Sequence, residues 1–200
     1  IHNNDSADDI HNVDLNQVHY LSGPIAVEGA EPGDLLVVDI LDVGALPELP
    51  WGFTGIFARS NGGGFLTDYF PNACKAFWDF NGIYARSRHI PGVEFAGIIH
   101  PGLIGTAPSH ELLETWNQRE KELVEKDPNR VPPYAELPKP DGAVVGKLQG
   151  NKAQKVAQEG ARTIPGRENG GNCDIKNLTR GTRAYFPVYI EGGNLSMGDI

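Results

Sequence analysis

The segment from Glu168 to Asp174, ENGGNCD, concentrates acids, amides and a thiol around a pair of glycines. Gly170 and Gly171 lack Cβ atoms, so their backbone N–H groups can approach a ligand closely and can face a developing oxyanion. Asp174 can ligate a divalent metal, and the amide of Asn172 can donate or accept a hydrogen bond. The same residue types are equally typical of a tight turn whose Asn and Asp side chains bond to their own backbone. The spacing of these residues leaves both interpretations open.

Two histidines lie next to predicted strands. His19 precedes a strand beside a Ser-Gly-Pro turn, and His100 follows an apolar stretch. Neutral imidazole can act as a metal ligand or as a general base, so a histidine at a strand end that faces a pocket is a catalytic candidate. A histidine that is hydrogen-bonded at the edge of the core is the alternative. The remaining histidines are expected at the surface, in loops or at a helix start: His2, His11, His89 and His110.

The two cysteines, Cys74 and Cys173, form no CxxC pattern, which is typical of a cytosolic protein with free thiols. A reactive cysteine needs an electropositive and accessible setting. Cys74 stands among Ala, Phe and Trp residues, so we expect a packed thiol there and not a nucleophile.

Composition and charge exclude several classes of function. The formal net charge is −9 and the 17 Lys and Arg residues are scattered, which argues against a nucleic-acid partner. The glycine-rich stretches SNGGG and ENGGN match neither the phosphate-loop pattern nor the dinucleotide-binding pattern, so nucleotide binding is disfavoured. No apolar run approaches the roughly 18 residues of a membrane span, and we expect no membrane partner and a cytoplasmic location.

The 25 glycines and 15 prolines favour short strands joined by turns. Alternating or continuous apolar residues predict strands at residues 25–30, 34–43, 93–100 and 182–193. The last of these is expected to be an edge or bulged strand because it contains Pro187.

Two helices are predicted. Ser109 can cap a helix that ends at Asp127-Pro128 and places Leu112, Leu113, Trp116 and Leu123 on one face, and Asn151 can cap a second helix. Residues 129–142 are expected to form an extended connection. Together these patterns predict an α+β, β-rich fold with mixed sheets, a β-sandwich-like core and a few peripheral helices, in a single domain over residues 1–200.

Four stretches in register resemble the acetamidase/formamidase family, and most closely its formamidase branch. They are HYLSGPIAVEGAEPGDLLVVDI, GIIHPGLIGTAPS, ENGGNCD and YFPVYIEGGNLSMGD. The resemblance implies a β-rich fold of about twice this length, of which residues 1–200 would be an incomplete portion. It also implies a cytoplasmic homo-oligomer that hydrolyses short aliphatic amides such as formamide and acetamide to ammonia and a carboxylate. A γ-lactamase relative suggests a bound divalent metal, zinc.

The family motif GGNxD falls on Gly170, Gly171, Asn172 and Asp174. The resemblance makes Asp174 a metal ligand or active-site carboxylate. Beside it, His19 or His100 is a candidate second ligand or base. His100 and Glu168 are further catalytic candidates, and the glycines and Asn172 are expected to bind the substrate or its oxyanion.

In the family, a histidine and a Gly-Asp-Gly-Glu run that supply another ligand and a general base follow the stretch that ends here at Asp199. Two alternatives stay open: a γ-lactamase-like hydrolase of cyclic amides, and a non-enzymatic β module that binds a small ligand.

Overall fold

The computed structural model of the protein describes residues 8–128 and 140–200. His2 and most of the predicted connection at residues 129–142 lie outside these described residues. The chain divides into two compact units. The first contains residues 8–15 and 44–99, and the second contains residues 16–43, 100–128 and 140–200.

Short strands dominate both units. In chain order the helices and strands are α1 (Asp8–His11), β1 (Ser22–Ile25), β2 (Leu35–Asp39), β3 (Trp51–Ile56), β4 (Cys74–Asn81), β5 (Tyr84–Ser87), β6 (Glu94–Ala96), β7 (Leu103–Gly105), α2 (His110–Lys126), α3 (Gly150–Glu159), β8 (Gly166–Arg167), β9 (Gly170–Asn172), β10 (Arg183–Pro187) and β11 (Leu195–Gly198). This content confirms the prediction of an α+β, β-rich fold.

The second unit is built on a five-stranded sheet with the order β1, β11, β7, β9, β8, in which every neighbouring pair is antiparallel. Leu103 at the start of β7 pairs with Gly198 at the end of β11 and with Asn172 at the end of β9. Because neighbours run in opposite directions, the starts of β1 and β7 lie at the same edge of the sheet as the ends of β9 and β11. We call this the Gly102 edge, after the residue that precedes β7.

The core of the second unit joins this sheet to the antiparallel pair of β2 and β10. Ala184 and Phe186 of β10 are buried whereas Tyr185 between them is 59% exposed, so the predicted alternation is confirmed. Pro187 ends a strand in a two-stranded sheet, where both strands are edges, as expected for a residue that cannot donate a backbone hydrogen bond. The buried members of this cluster are Leu36, Ile104, Ala184, Phe186, Val188 and Leu195.

Helix α2 begins where the sequence predicts. The Ser109 hydroxyl accepts a hydrogen bond from the Leu112 N–H at 3.1 Å, and Asp127 is the C-terminal cap residue. The predicted apolar face is wrong at Leu123, which is 51% exposed. Glu120 is buried on this helix, because it forms an ion pair with Arg167.

The second predicted cap is wrong. Helix α3 starts at Gly150, and Gln149 is its cap residue, without a side-chain hydrogen bond. Asn151 therefore lies inside the helix and is exposed. Of the described helices, none is both long enough and apolar enough to cross a bilayer.

The first unit contains a four-stranded antiparallel sheet with the order β3, β4, β5, β6. Phe77 of β4 and Ile10 of α1 have no exposed surface, and the ring of Trp51 meets the Phe77 ring edge-on at 5.5 Å between centroids. These side chains form the centre of this unit.

Three predictions about strands and thiols are wrong. Of residues 93–100 only Glu94–Ala96 forms a strand, and it is exposed because β6 lies at the sheet edge and pairs only with β5. Strand β1 ends at Ile25, since the chain then turns at Gly29, which has a φ of 79°. Cys74 is exposed at the start of β4 and is not a packed thiol.

Candidate active site

The Gly102 edge brings together three segments that are distant in sequence. The Gly102 N–H donates to the Asp199 carbonyl at 2.6 Å, just after β11. The Gly102 carbonyl accepts from the N–H groups of Cys173 at 2.9 Å and Asp174 at 3.0 Å, just after β9. Gly102 therefore joins the ends of both neighbouring strands.

Two carboxylates lie against Gly102. A Cβ atom on this glycine would be 2.9 Å from Asp174 Oδ1 and 2.9 Å from Asp199 Oδ2, closer than real Cβ atoms approach other atoms. Asp174 is exposed, and the Asp199 side chain is 45% exposed. The absence of a side chain at residue 102 is thus what allows one carboxylate oxygen of each aspartate to lie beside this residue.

Both aspartates adopt a left-handed backbone conformation, with φ of 49° at Asp174 and 58° at Asp199. Non-glycine residues rarely take this conformation, and short polar side chains such as Asp tolerate it best. Such strain concentrates at functional sites when the surrounding structure supports it. Here the hydrogen bonds to Gly102 provide that support.

His19 joins this group from the start of β1. Its Nε2 atom lies 4.0 Å from Asp199 Oδ2, and its side chain is 21% exposed. Its backbone N–H donates to Thr163 Oγ1 at 2.8 Å, and its Nδ1 atom lies 3.0 Å from the same oxygen. The structure therefore links two predicted site residues, Asp174 and His19, through Asp199.

His100 is half-buried and lies three residues before β7. It is therefore close along the chain to the start of β7 at the Gly102 edge. Its predicted catalytic role stays a prediction.

Glu168 lies elsewhere. It occupies the turn between β8 and β9, at the end of β9 opposite Asp174. Its carboxylate accepts from Trp116 Nε1 at 2.6 Å and from Arg119 Nη2 at 2.9 Å, both on α2. The hydrogen bond from the Arg119 guanidinium is the main reason that the pKa of Glu168 lies below its usual range. The structure does not bring Glu168 to the carboxylate pair.

The glycine pair and Asn172 form strand β9, which lies between β7 and β8. A Cβ atom on Gly170 would be 2.5 Å from the Ile104 carbonyl and 2.9 Å from the Phe186 ring, so close packing requires glycine there. Asn172 Nδ2 donates to the Ile164 carbonyl at 2.7 Å. Packing therefore accounts for the glycine at residue 170, and the role of Gly170, Gly171 and Asn172 toward a substrate or oxyanion stays a prediction.

The prediction that the segment from Glu168 to Asp174 forms a tight turn is confirmed only in part. The segment does contain a tight turn, at Glu168-Asn169. The Asn169 side chain, however, also bonds outside the segment, since Nδ2 donates to the Thr106 carbonyl at 2.6 Å.

Two cavities in the second unit are lined by Thr163, and one of them is also lined by His19. A cavity of about 110 Å³ is lined by His19 and Thr163 among other residues. A larger one of about 360 Å³ is lined by Thr163, by Leu103 of β7 and by Trp116 of α2. Thr163 therefore borders both cavities while it binds His19.

The described residues do not complete a metal site by themselves. Catalytic zinc usually takes three protein ligands. Within residues 8–128 and 140–200, no group of three or more His, Cys, Asp or Glu side chains is arranged to hold an ion. Asp174 and His19 thus stay predicted ligands only.

Cys173 borders the carboxylate pair. Burial raises the pKa of its thiol, and the neighbouring Asp174 carboxylate raises it further. A thiol with a raised pKa carries little thiolate at neutral pH and is a poor nucleophile.

Comparison with known proteins gives this site its context. The sequence profile of the Acetamidase/Formamidase family matches residues 1–200. The chain belongs to the acetamidase/formamidase family. The predicted resemblance is therefore confirmed.

Individual members of the family are similar over the whole chain. A formamidase of Methylophilus methylotrophus is 65% identical over 200 residues, which are 49% of that protein. An acetamidase of Mycolicibacterium smegmatis is 58% identical over 207 residues, and the chain covers 51% of it. The solved structure of a gamma lactamase from Delftia acidovorans matches the whole chain and 49% of its own length, with a TM-score of 0.94 and 57% identity. The chain spans about half the length of the curated relatives it matches.

Sequence reasoning missed three residues of this site: Gly102, Thr163 and Asp199. In the sequence, Asp199 looks like an ordinary turn residue after a strand, and Gly102 looks like an ordinary loop glycine after Pro101. No local signal identifies Thr163, because it lies 144 positions from the histidine that it binds. The positions of Gly102 and Asp199 follow from strand register, which the sequence pattern does not reveal.

Proposed function

We propose that the full-length protein hydrolyses short aliphatic amides, formamide and acetamide, to ammonia and the corresponding carboxylate. The observation that carries the proposal is the 65% identity to a formamidase over the entire chain. The carboxylates of Asp174 and Asp199, which meet at Gly102, and the adjacent imidazole of His19 support it chemically.

The reaction needs a proton acceptor and a proton donor at one place. Water adds through its oxygen to the amide carbon and loses a proton, and the C–N bond breaks as the nitrogen gains a proton and leaves as ammonia. A carboxylate of Asp174 or Asp199 is suited to accept the first proton. The imidazole of His19 is suited to return a proton to the nitrogen, since a histidine ring nitrogen can act as a general acid.

The cavity of about 110 Å³ lined by His19 and Thr163 has room for a molecule of a few heavy atoms, such as formamide or acetamide. Neither Asp174 nor Asp199 lines it, so only His19 joins it to the candidate site. Few contacts are available to so small a ligand, so we expect weak binding.

Three further features belong to this proposal: a divalent metal, zinc; assembly as a homo-oligomer; and a cytoplasmic location. If zinc is bound, it would polarise the amide carbonyl with Asp174 and His19 as its candidate ligands, and Asp199 would then be left as the proton acceptor. The net charge of −9 argues against binding to nucleic acid, because both would be negatively charged.

A second candidate function is the hydrolysis of a cyclic amide. It is favoured by the 57% identity and TM-score of 0.94 to a gamma lactamase. A lactam keeps its nitrogen when the ring opens, so it yields an amino acid and no ammonia. The two activities are therefore separable by their products.

The experiment measures ammonia from formamide and acetamide, and amino acid from γ-butyrolactam, with purified full-length protein. We expect ammonia from both linear amides and slower ring opening. Treatment with a chelator followed by added zinc tests the metal, and we expect activity to fall and return. Absence of ammonia from both amides, with or without zinc, would contradict the proposal.

A further inference from the structure

Strand β2 has one open edge. Just before β2, the Val188 N–H donates to the Asp34 carbonyl at 2.9 Å, and just after it, the Ile40 N–H donates to the Thr182 carbonyl at 2.9 Å. Since hydrogen-bonded residues alternate along an antiparallel pair, the even-numbered residues of β2 face β10 and the odd-numbered residues face away from it. The backbone groups that face away, which we call the open edge of β2, belong to Leu35, Val37 and Asp39. Within residues 8–128 and 140–200, these N–H and carbonyl groups form no hydrogen bond.

The outer edge of the partner strand β10 is protected. Pro187 has no N–H group, and its carbonyl already accepts a hydrogen bond from Thr106 Oγ1 at 2.6 Å. Proline and basic residues are devices by which proteins prevent an edge strand from pairing further. The sequence of β2, LLVVD, contains neither. The open edge of β2 is therefore the better suited of the two to pair with another strand.

The side chains of β2 indicate a strand with both faces covered. Residues 35–38, LLVV, are an unbroken apolar run, which is typical of an internal strand, whereas a strand with one solvated face alternates apolar and polar residues. The inner face fits this expectation, because Leu36 is buried in the core. On the outer face, however, Leu35 is 63% exposed and Val37 is 49% exposed. The described residues thus cover one of the two apolar faces.

The relatives of this chain have enough further residues to cover the rest. The chain spans 49% of the formamidase and 51% of the acetamidase that it matches, so each relative is about twice as long. A sheet of two strands is also small, since sheets usually contain about four to six. Both facts favour a partner strand from the same polypeptide.

We propose that in the full-length protein an extended segment of the same polypeptide, outside residues 1–200, pairs with the open edge of β2 and makes β2 an internal strand. The backbone groups of Leu35, Val37 and Asp39 supply the hydrogen bonds. Apolar side chains of the added strand pack beside Leu35 and Val37 on the outer face, so we expect β-branched or aromatic residues in it. This inference is independent of the proposed function.

Amide hydrogen exchange of the full-length protein, resolved to single residues, tests the pairing. We expect the N–H groups of Leu35 and Val37 to exchange at least about 10³-fold more slowly than in an unstructured peptide. The Ile40 N–H is the internal reference, because it is already bonded to Thr182. Fast exchange at Leu35 and Val37 beside a slow Ile40 would overturn the proposal.

Two proline substitutions compare the two edges. Val37 and Tyr185 lie directly opposite each other, and the N–H of each points away from the other strand. We expect Val37→Pro to lower the Tm of the full-length protein by about 10 °C, because it removes a hydrogen bond to the added strand. Tyr185→Pro is the matched control at the other edge and should lower the Tm by no more than about 3 °C. Equal shifts would mean that the edge of β2 is no more occupied than that of β10.

Photo-crosslinking identifies the segment that occupies the edge. Leu35 is replaced by p-benzoylphenylalanine in the full-length protein, since its side chain is exposed beside the open edge. We expect a cross-link to a peptide outside residues 1–200, in a product that keeps the mass of one chain on a denaturing gel. A product with the mass of two chains would assign the strand to a second copy, and cross-links confined to residues 1–200 would show that no strand is added. Either result would contradict the proposal, whether or not the protein hydrolyses amides.

Discussion

At the scale of single residues, the candidate site depends on a glycine between two acids. Asp174 and Asp199 take left-handed backbone conformations and direct their carboxylates to the space beside Gly102. Any side chain at residue 102 would occupy that space. The glycine is therefore as necessary to the arrangement as the acids are.

The first prediction concerns Gly102→Ala. The new methyl group would lie 2.8 Å from the Asp199 backbone oxygen and 2.9 Å from both carboxylates, so the strand ends must move apart. We expect a loss of about 1–3 kcal/mol in the free energy of unfolding and a large loss of amide hydrolysis. Urea denaturation and ammonia release measure the two effects.

Gly44→Ala is the matched control, since a Cβ atom there meets nothing within 4 Å. It should change the free energy of unfolding by less than about 0.5 kcal/mol. Equal effects of the two substitutions would contradict the packing at Gly102.

The second prediction uses the thiol beside Asp174. Burial and the Asp174 carboxylate raise the pKa of Cys173, so its thiolate fraction at neutral pH is low. We expect a disulfide reagent to label exposed Cys74 quickly and Cys173 slowly, with the Cys173 rate rising as pH increases. Asp174→Asn should raise the Cys173 rate at neutral pH severalfold, because it removes the negative charge.

Cys74 is the internal reference for this measurement, and its rate should not change in Asp174→Asn. A Cys173 rate that is also unchanged would mean that the Asp174 carboxylate does not lie close to the thiol.

At the scale of elements, helix α2 anchors the hairpin of β8 and β9 that leads to Asp174. Arg167 of β8 forms an ion pair with Glu120, with 3.0 Å between Arg167 Nε and Glu120 Oε1, and its guanidinium lies 4.7 Å from the centre of the Trp116 ring. Glu168 in the turn binds Trp116 and Arg119. The position of Asp174 thus depends on contacts with a helix outside the sheet.

The third prediction compares two glutamates of α2. The Arg167 and Glu120 side chains are only 4% and 11% exposed, so Glu120→Ala would leave a buried guanidinium without its main counter-ion. We expect a loss of about 3–5 kcal/mol in the free energy of unfolding, measured by urea denaturation.

Glu125→Ala serves as the control, because Glu125 lies 3.9 Å from Lys121 in an exposed pair, where we expect at most about 0.5 kcal/mol. A loss below 1 kcal/mol for Glu120→Ala, on the order of a surface pair, would contradict the anchoring role.

Local patterns predicted those elements whose signals lie within a few residues. Ser109 caps α2 as expected because a cap acts on the N–H groups of the next turn. Burial alternates along β10 as expected because one face of this strand is buried. Leu123 and Glu120 were not predictable in this way, since the burial of Glu120 depends on Arg167, which is far away in sequence. The prediction of a buried strand at residues 93–100 was wrong because an apolar run does not reveal whether a strand lies at the edge of a sheet.

At the scale of the whole molecule, the Gly102 edge exists only because four strand ends meet there. His19, His100, Asp174 and Asp199 adjoin the starts of β1 and β7 and the ends of β9 and β11. The family motif identified Asp174 from the sequence, but the meeting of Asp174 with Asp199 and His19 depends on antiparallel register. The same register places Glu168 at the other end of β9, which the motif could not indicate.

The proposed catalytic role of Asp174 is checked by kcat/KM for ammonia release from formamide by full-length protein carrying Asp174→Asn. We expect a loss of about 10²-fold or more with an unchanged circular dichroism spectrum. Asp42→Asn, a change at an exposed acid whose side chain is 82% accessible, should leave kcat/KM at the native value. A folded Asp174→Asn protein that hydrolyses formamide at the native rate would show that Asp174 has no catalytic role.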